Sequence, residues 1–239
     1  KTSSNLARGF MGKISGKMNL KASFNKMNVH HFSVKSGDVQ SAIAELKQDP
    51  DVEYAEPNFV VRKFEDPAYS QSNSKVKVTE AWGVMTPLSS QGETPIVAVI
   101  DTGISHNHKV FVDSHAMWIN QGEVPDNGVD DDGNGYVDDV YGWNFHDHDS
   151  NVMDGDAHGT HIAGIVLGVG QDIFASFPES AKIRLMALKF LGNDGSGSTA
   201  DAISAIYYAV NNGAQVINNS WGGSSFSQAL WDALLHAYE

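Results

Sequence analysis

The chain has no cysteine. That excludes disulfides, thiolate metal ligands and a cysteine nucleophile, and it leaves the redox compartment open. It also lacks any apolar run long enough to cross a bilayer as a helix, so no membrane span is expected. Positive charge is missing from one long stretch. Between Lys109 and Lys182 there is no Lys or Arg, while residues 110–181 hold 14 Asp and Glu. The remainder carries 15 acids against 16 bases, so this stretch accounts for the whole net charge of −13. A basic nucleic-acid surface is not expected from such a balance. The acidic block is either a solvated face or a site for cations.

What is present describes a soluble, folded chain. The 239 residues are 41% hydrophobic and 19% charged, enough for one large domain or two smaller ones. Residues 1–66 read as a unit of their own. "HHFSVKSG" (30–37) alternates as a short strand does, and "DVQSAIAELKQDP" places Val39, Ala42, Ile43 and Leu46 at helical spacing before Pro50. "VEYAEPNFVVRKF" (52–64) is a further extended segment, giving strand, helix, strand, the material of a small α+β sandwich. The polar, turn-rich "EDPAYSQSNSK" (65–75) reads as a linker.

Beyond residue 76 strands and helices alternate. "PIVAVI" (95–100) is a continuous apolar strand of the kind buried on both faces. "HGTHIAGIVLG" (158–168) predicts a helix, "AKIRLMALKF" (181–190) a strand, and "STADAISAIYYAVNN" (198–212) a helix ended by Gly213. "AQVINNS" (214–220) is a further strand, and 226–239 a last helix with Phe226, Leu230, Ala233, Leu234 and Ala237 on one face. This order predicts the α/β class, a parallel sheet with helices on both faces. It contains no internal repeat.

Two residues stand where such a sheet puts its chemistry. Asp101 ends its strand on the edge where open α/β sheets collect ligands and catalytic groups, although an aspartate beside Gly103 also suits a simple turn cap. His158 opens a helix whose N-terminal field disfavours a charged imidazole; a nearby carboxylate restores its basicity and fixes its tautomer. The acidic block contains "DNGVDDDGNGYVDDVYGW" (126–143), with Asp130, Asp132 and Asn134 at alternate positions and Gly135 for a sharp turn. That is the first half of a calcium loop built from hard oxygen ligands. Tyr141 stands where an EF-hand would have its closing Glu, so Asp139, or else Asp138, is expected to close the shell, with the Tyr136 carbonyl as a further ligand. The alternative is a solvated acidic turn. A weaker second candidate is "HDHDSNVMDGD" (146–156), whose acids are expected on a solvated surface.

"VAVIDTGIS" and "HGTHIAGIV" resemble the aspartate and histidine motifs of the subtilisin-like serine proteases, and "VINNSWGG" (216–223) resembles the substrate-binding strand and edge of that family. The unit ending in "DPDVEYAEPNFVV" resembles the family's inhibitory propeptide. The resemblance implies a small ferredoxin-like propeptide domain over 1–66 and the N-terminal part of a subtilisin-like catalytic domain over 67–239. It implies His158 as general base and Asp101 as its orienting partner. Ser220, Trp221, Gly222 and Gly223 would pair with polypeptide substrate as an added strand, and His161 would have a packing role. It further implies a zymogen inhibited by its own propeptide, a structural Ca2+, and a place outside the cytoplasm.

The family's oxyanion asparagine lies in a segment like AAGN and its nucleophile in one like GTSMA; neither occurs here. A parallel sheet ending at the 214–220 strand would expose an unpaired apolar edge. The expectation is therefore a C-terminal remainder, beyond Glu239 or on another chain, without which the chain is inactive. Two other classes stand beside this one. A metallohydrolase could use His158 and His161 with Asp101 or Asp156, but "HGTH" lacks the Glu of a zincin helix. A catalytically inactive, calcium-stabilised peptide binder would use only the 220–223 edge.

Overall fold

A computed structural model describes residues 18–34, 38–65, 94–168 and 183–238. The linker expected after Glu65 and the boundary between residues 66 and 67 lie outside the described residues.

The body is built on a four-stranded parallel sheet in the order β5-β6-β4-β8: β4 is Ile96–Asp101, β5 Gly142–Asn144, β6 Arg184–Lys189 and β8 Val216–Asn219. The period-2 alternation of a strand sends successive side chains to opposite faces, and both faces of this sheet are covered. Val97 and Val99 of β4, with Leu185 and Ala187 of β6, pack with Ile162, Ala163 and Leu167 of α3 (His158–Leu167). Ala98, Ile100, Met186 and Leu188 pack the other way, with Ala202, Ile206 and Ala209 of α4 (Thr199–Asn211) and Ala233 of α5 (Gln228–Tyr238). This is why 95–100 reads as an unbroken apolar run, and why Leu185–Leu188 between Arg184 and Lys189 is apolar throughout. The last helix buries Ala229 and Ala233, with Leu230 and Ala237 partly covered, whereas Phe226 precedes the helix and is 69% exposed. The expected apolar face was therefore only half right: small residues, not Phe226, make the close contact.

The N-terminal unit contains an antiparallel hairpin, β1 (Met18–Phe24) with β2 (Val29–Val34), and α1 (Val39–Leu46), whose N-cap Asp38 accepts from Ser41 N–H at 2.9 Å. Ala42, Ile43 and Leu46 of α1 are half-buried, as their spacing predicted, whereas Val39 in the first turn is exposed. The next segment departs from expectation. Residues 52–64 were read as a strand of the N-terminal sandwich. Only Val60–Lys63 (β3) is strand, and it leaves that unit to run antiparallel between β7 (Ser196–Ser198) and β9 (Trp221–Gly222) of the body.

The residues just before β3 dock on two helix starts. Asn58 Oδ1 accepts from Thr199 Oγ1 (2.8 Å) and Ala200 N–H (2.9 Å) at the start of α4, beside the N-cap Ser198. The Glu56 carboxylate accepts from Ser227 Oγ and from the N–H groups of Gln228 and Ala229, at 2.6, 2.9 and 3.1 Å, at the start of α5. Tyr54 Oη reaches Asp232 Oδ2 at 3.0 Å. Helix N-termini leave N–H groups without intrahelical partners and favour negative charge, so Glu56 does for α5 what a capping residue ordinarily does. Glu56→Ala is expected to cost about 1–2 kcal/mol of docking. Hydrogen exchange of the 54–64 amides would then accelerate roughly tenfold, with β4 and β6 unchanged; equal protection in the two proteins would refute the capping role.

Candidate active site

Asp101 is the sixth residue of β4, and the alternation that turns Val97 and Val99 toward α3 turns Asp101 the same way. His158 opens α3. The two side chains meet with His158 Nδ1 at 2.7 Å from Asp101 Oδ1, both at 1% exposure or less. The same oxygen accepts the Thr102 N–H at 2.7 Å. Burial raises the Asp101 carboxyl above its ordinary range, against the lowering pull of the hydrogen bonds from His158 and Thr102. A buried carboxylate at Nδ1 fixes the ring so that Nε2 is the atom left for proton transfer, and it stabilises the imidazolium that forms when Nε2 accepts a proton.

The approach of helix to strand is close. A Cβ at Gly159 would meet the Gly103 carbonyl oxygen and come within 3.1 Å of Asp101 Cβ, so only glycine fits at the second position of α3. The first turn is held from below by Asp154. Its carboxylate accepts from the N–H groups of Asp156, Ala157 and Thr160, from Thr160 Oγ1 and from Thr102 Oγ1, at 2.6–3.0 Å. Thr102 Oγ1 in turn accepts the Gly159 N–H at 2.9 Å. Burial alone would raise the Asp154 carboxyl, but the hydrogen bonds from Thr160 and the backbone bring it below its ordinary value. Lys189, buried at the end of β6, donates to the carbonyls of Thr102 and Leu191 at 2.6 and 3.0 Å and so anchors the loop after Asp101. The sequence reading put Asp154 and Asp156 on a solvated surface. Asp154 instead ties α3 to β4, and Asp156 forms an ion pair with Lys63 of β3. The D-x-D spacing ahead of a helix start was the signal available for this.

Ser220, Trp221, Gly222 and Gly223 line an edge that β3 follows. Arg62 faces Gly222 and Lys63 faces Trp221 in the antiparallel register, and the Phe64 N–H donates to the Ser220 carbonyl at 3.0 Å. On its other side β3 pairs with β7, and the Lys63 N–H donates to the Gly195 carbonyl at 2.9 Å. Gly222 lies so close to the Phe64 ring that a Cβ would come within 2.9 Å of Phe64 Cζ. Trp221 is buried and packs edge-on against Phe190, ring centres 4.8 Å apart, in the cluster that also buries Val61. His161, a turn further along α3, is half-buried. Among the described residues the three-acid group Glu123, Asp130 and Asp132 is the one cluster spaced to hold a metal; it contains neither His158 nor His161.

That group changes the reading of the acidic loop. Asp130 and Asp132 come together with Glu123, their carboxylate oxygens within 4.8 Å of one another. Glu123 also gathers the N–H groups of Asp131, Asp132 and Asp138 at 2.9–3.2 Å. Asn134 donates to Asp132 and Asp139 through its side-chain amide. Asp139, expected to close the shell, is fully buried and accepts from Asn120, Asn134 and the Tyr208 hydroxyl. Asp138 accepts the Asn127 and Gly128 N–H groups. The Tyr136 ring packs edge-on against Trp143, Phe145 and Tyr208. Glu123 lies outside the run of loop spacings, so no pattern within 126–143 could reveal it.

The model of the subtilase family matches residues 92–239, and that of the fervidolysin N-terminal prodomain matches residues 5–58. The thermophilic serine proteinase of Bacillus sp. (strain AK1) is 30% identical over 90% of this chain and 47% of its own length. Thermitase of Thermoactinomyces vulgaris is 30% identical over 72% of this chain and 53% of its own length. The chain thus spans about half the length of these curated relatives. A solved cold adapted subtilisin-like serine proteinase covers 61% of this chain and 42% of its own, at 26% identity and a TM-score of 0.40.

Removing the Asp154 carboxylate takes five acceptor contacts from a half-buried site, and Asp154→Ala is expected to destabilise the fold by about 2–4 kcal/mol. Because the folded value of this carboxyl is lowered, its contribution is complete above about pH 4 and is lost as pH falls through the folded value. Denaturant unfolding of both proteins at pH 7 and pH 3 checks this: the gap between them should shrink at the lower pH, and a constant gap contradicts it.

Proposed function

Since the chain belongs to the subtilase family, with a fervidolysin-like prodomain segment ahead of the family domain, we propose that it is the front part of a serine endopeptidase in zymogen form. It hydrolyses peptide bonds, and its nucleophilic serine and oxyanion asparagine are supplied by residues after Glu239 or by another chain. The observation that carries this reading is β3, an extended segment hydrogen-bonded on both sides between β7 and β9, whose Lys63 pairs with Asp156 two residues before His158. It occupies the edge as an added substrate strand would. The half-exposed edge of β8, with Val216 at 53%, leaves room for a further parallel strand.

In this mechanism His158 Nε2 takes the proton of the serine hydroxyl as it attacks the peptide carbonyl, then passes it to the leaving amine. Asp101 holds the ring and balances its charge throughout. The body is formed by 67–239 and the prodomain by 1–66, whose last residues block the edge as the protein's own inhibitor. Among the described residues the Phe64 N–H makes the last backbone bond of the docked strand, to the Ser220 carbonyl, so the bond cut on maturation is Phe64–Glu65, two residues ahead of the boundary expected between residues 66 and 67. The protein acts on polypeptides outside the cytoplasm. A binder that did not cut would need β7 and β9 only; a buried Asp101–His158 pair gives it nothing.

The loop from Glu123 to Asp139 fits a structural Ca2+ by its donor chemistry. The gathered group is all oxygen, and Gly133 and Gly135 take the positive φ that a sharp ligand loop needs. Glu123, Asp130 and Asp132 would hold the ion, with Asn134 beside them, and the bound ion would offset their mutual repulsion.

The protease reading is tested on the protein made with its natural continuation past Glu239. Mass spectrometry should find a new N-terminus at Glu65, and His158→Ala should abolish that cut and lower cleavage of an unfolded protein substrate by about 10⁴-fold or more. Cleavage that His158→Ala leaves intact would refute it. For the ion, Ca2+ at 100 times its dissociation constant is expected to add about 2.7 kcal/mol of stability. Calorimetry with Ca2+ and with chelator reads this directly, and Asp130→Ala with Asp132→Ala should erase the difference; identical melting of the unaltered protein in both buffers excludes a structural ion.

A further inference from the structure

On the protease reading, β3 stands in for substrate, and its contacts then say which substrate fits. Val61 and Lys63 turn into the body while Val60 is 64% and Phe64 57% exposed. The Lys63 stem lies over Gly195, where a Cβ would come within 2.9 Å of Lys63 Cγ and Cδ. Its ammonium meets Asp156, whose side chain is only 13% exposed against 31% for Lys63.

Asp156 has no cation within its own stretch of sequence, since Lys and Arg are missing from 110 to 181. Lys189, the buried cation of β6, directs its ammonium to the Thr102 and Leu191 carbonyls. The partner of Asp156 therefore arrives on the bound strand. Asp156 Oδ1 also accepts the His158 N–H at 3.3 Å, which fixes the carboxylate beside the candidate base. Across the strand, Asp194 lies in the field of Arg62, though hydrogen bonds from Ser196 come first among the causes that lower its carboxyl.

We propose that Asp156 is a specificity-determining residue, and that the site prefers polypeptides carrying lysine at the position of Lys63, one residue before the residue after which the chain is cut. The inference rests on the protease reading. A half-buried carboxylate at the end of a path open to one extended stem attracts an ammonium and rejects a carboxylate, and unpaired charge at such a spot is what discriminates between substrates. The glycine floor at 195 leaves space for the methylenes and offers a neutral side chain little to hold.

The test uses the protein with its natural continuation and quenched peptides of the sequence around Val60–Asp66, with Lys, Ala or Glu in place of Lys63. The expected kcat/KM for the Lys peptide exceeds that for Ala by about tenfold or more, with Glu lowest. In Asp156→Asn the Lys-to-Ala ratio should fall to within about twofold; the ratio is the readout because it cancels any general damage near His158. Cleavage of all three peptides at similar rates by the unaltered protein overturns this inference and leaves the protease reading standing. Cleavage of none overturns the protease reading and this inference with it. If the Asn variant does not fold, the peptide series on the unaltered protein decides alone.

Discussion

The two-sided burial of β4 is the constraint on which the rest depends. A parallel strand with neighbours on both edges and helices on both faces has no freedom of register, because a slip of one residue would exchange every side chain between two different helices. Val97, Val99 and Asp101 therefore share a face with α3, and Ala98 and Ile100 share one with α4. The carboxylate at the strand end is aimed by packing that begins four residues earlier. A buried acid without such aim would be a liability, and here it is met at 2.7 Å by the first residue of the helix it faces.

The helix itself begins under strain, and the strain is matched by hydrogen bonds. Ala157 precedes α3 at φ 85°, a left-handed conformation that costs a non-glycine residue energy, and it offers no side-chain cap. Asp154 supplies what the cap lacks, accepting three backbone N–H groups of this turn and tying it through Thr102 to the end of β4. Lys189 secures the same loop from the neighbouring strand. Three elements are thus fastened to one another within a few residues of the Asp101–His158 pair. Rigid fastening of this kind lets a short hydrogen bond hold its geometry without a ligand.

Much of this was legible in the sequence. The strand ending at Asp101 follows from an unbroken apolar run, and the helix opening at His158 and the strand before Ser220 from shorter apolar patterns and their punctuation, which need no knowledge of partners. The misreadings share a cause. Residues 60–63 are visibly extended, but four extended residues do not name the strands they will join, and the nearest unit in sequence was not the answer. Asp154 and Asp156 lie in a run of acids that composition alone marks as solvated; their burial comes from the fold of α3 onto β4. Glu123, which gathers with Asp130 and Asp132, could not be picked out from the sequence for the same reason. Spacing within a loop says which side chains could converge, while the core behind it, here Asn120 and Tyr208, decides which one is drawn inward.

The docked segment from Glu56 to Phe64 has one property of a different kind. Its partners lie far along the chain, Thr199 at 140 residues from Phe59 and Ser227 at 171 from Glu56. None of these bonds shortens a loop that the body needs in order to form, and contacts of such separation form late because chain closure must come first. The segment thus joins β7 and β9, which meet only through it. Its release would break these hydrogen bonds and one ion pair and uncover Val61, which is buried against the cluster that holds Trp221, so such an opening is local but not without cost.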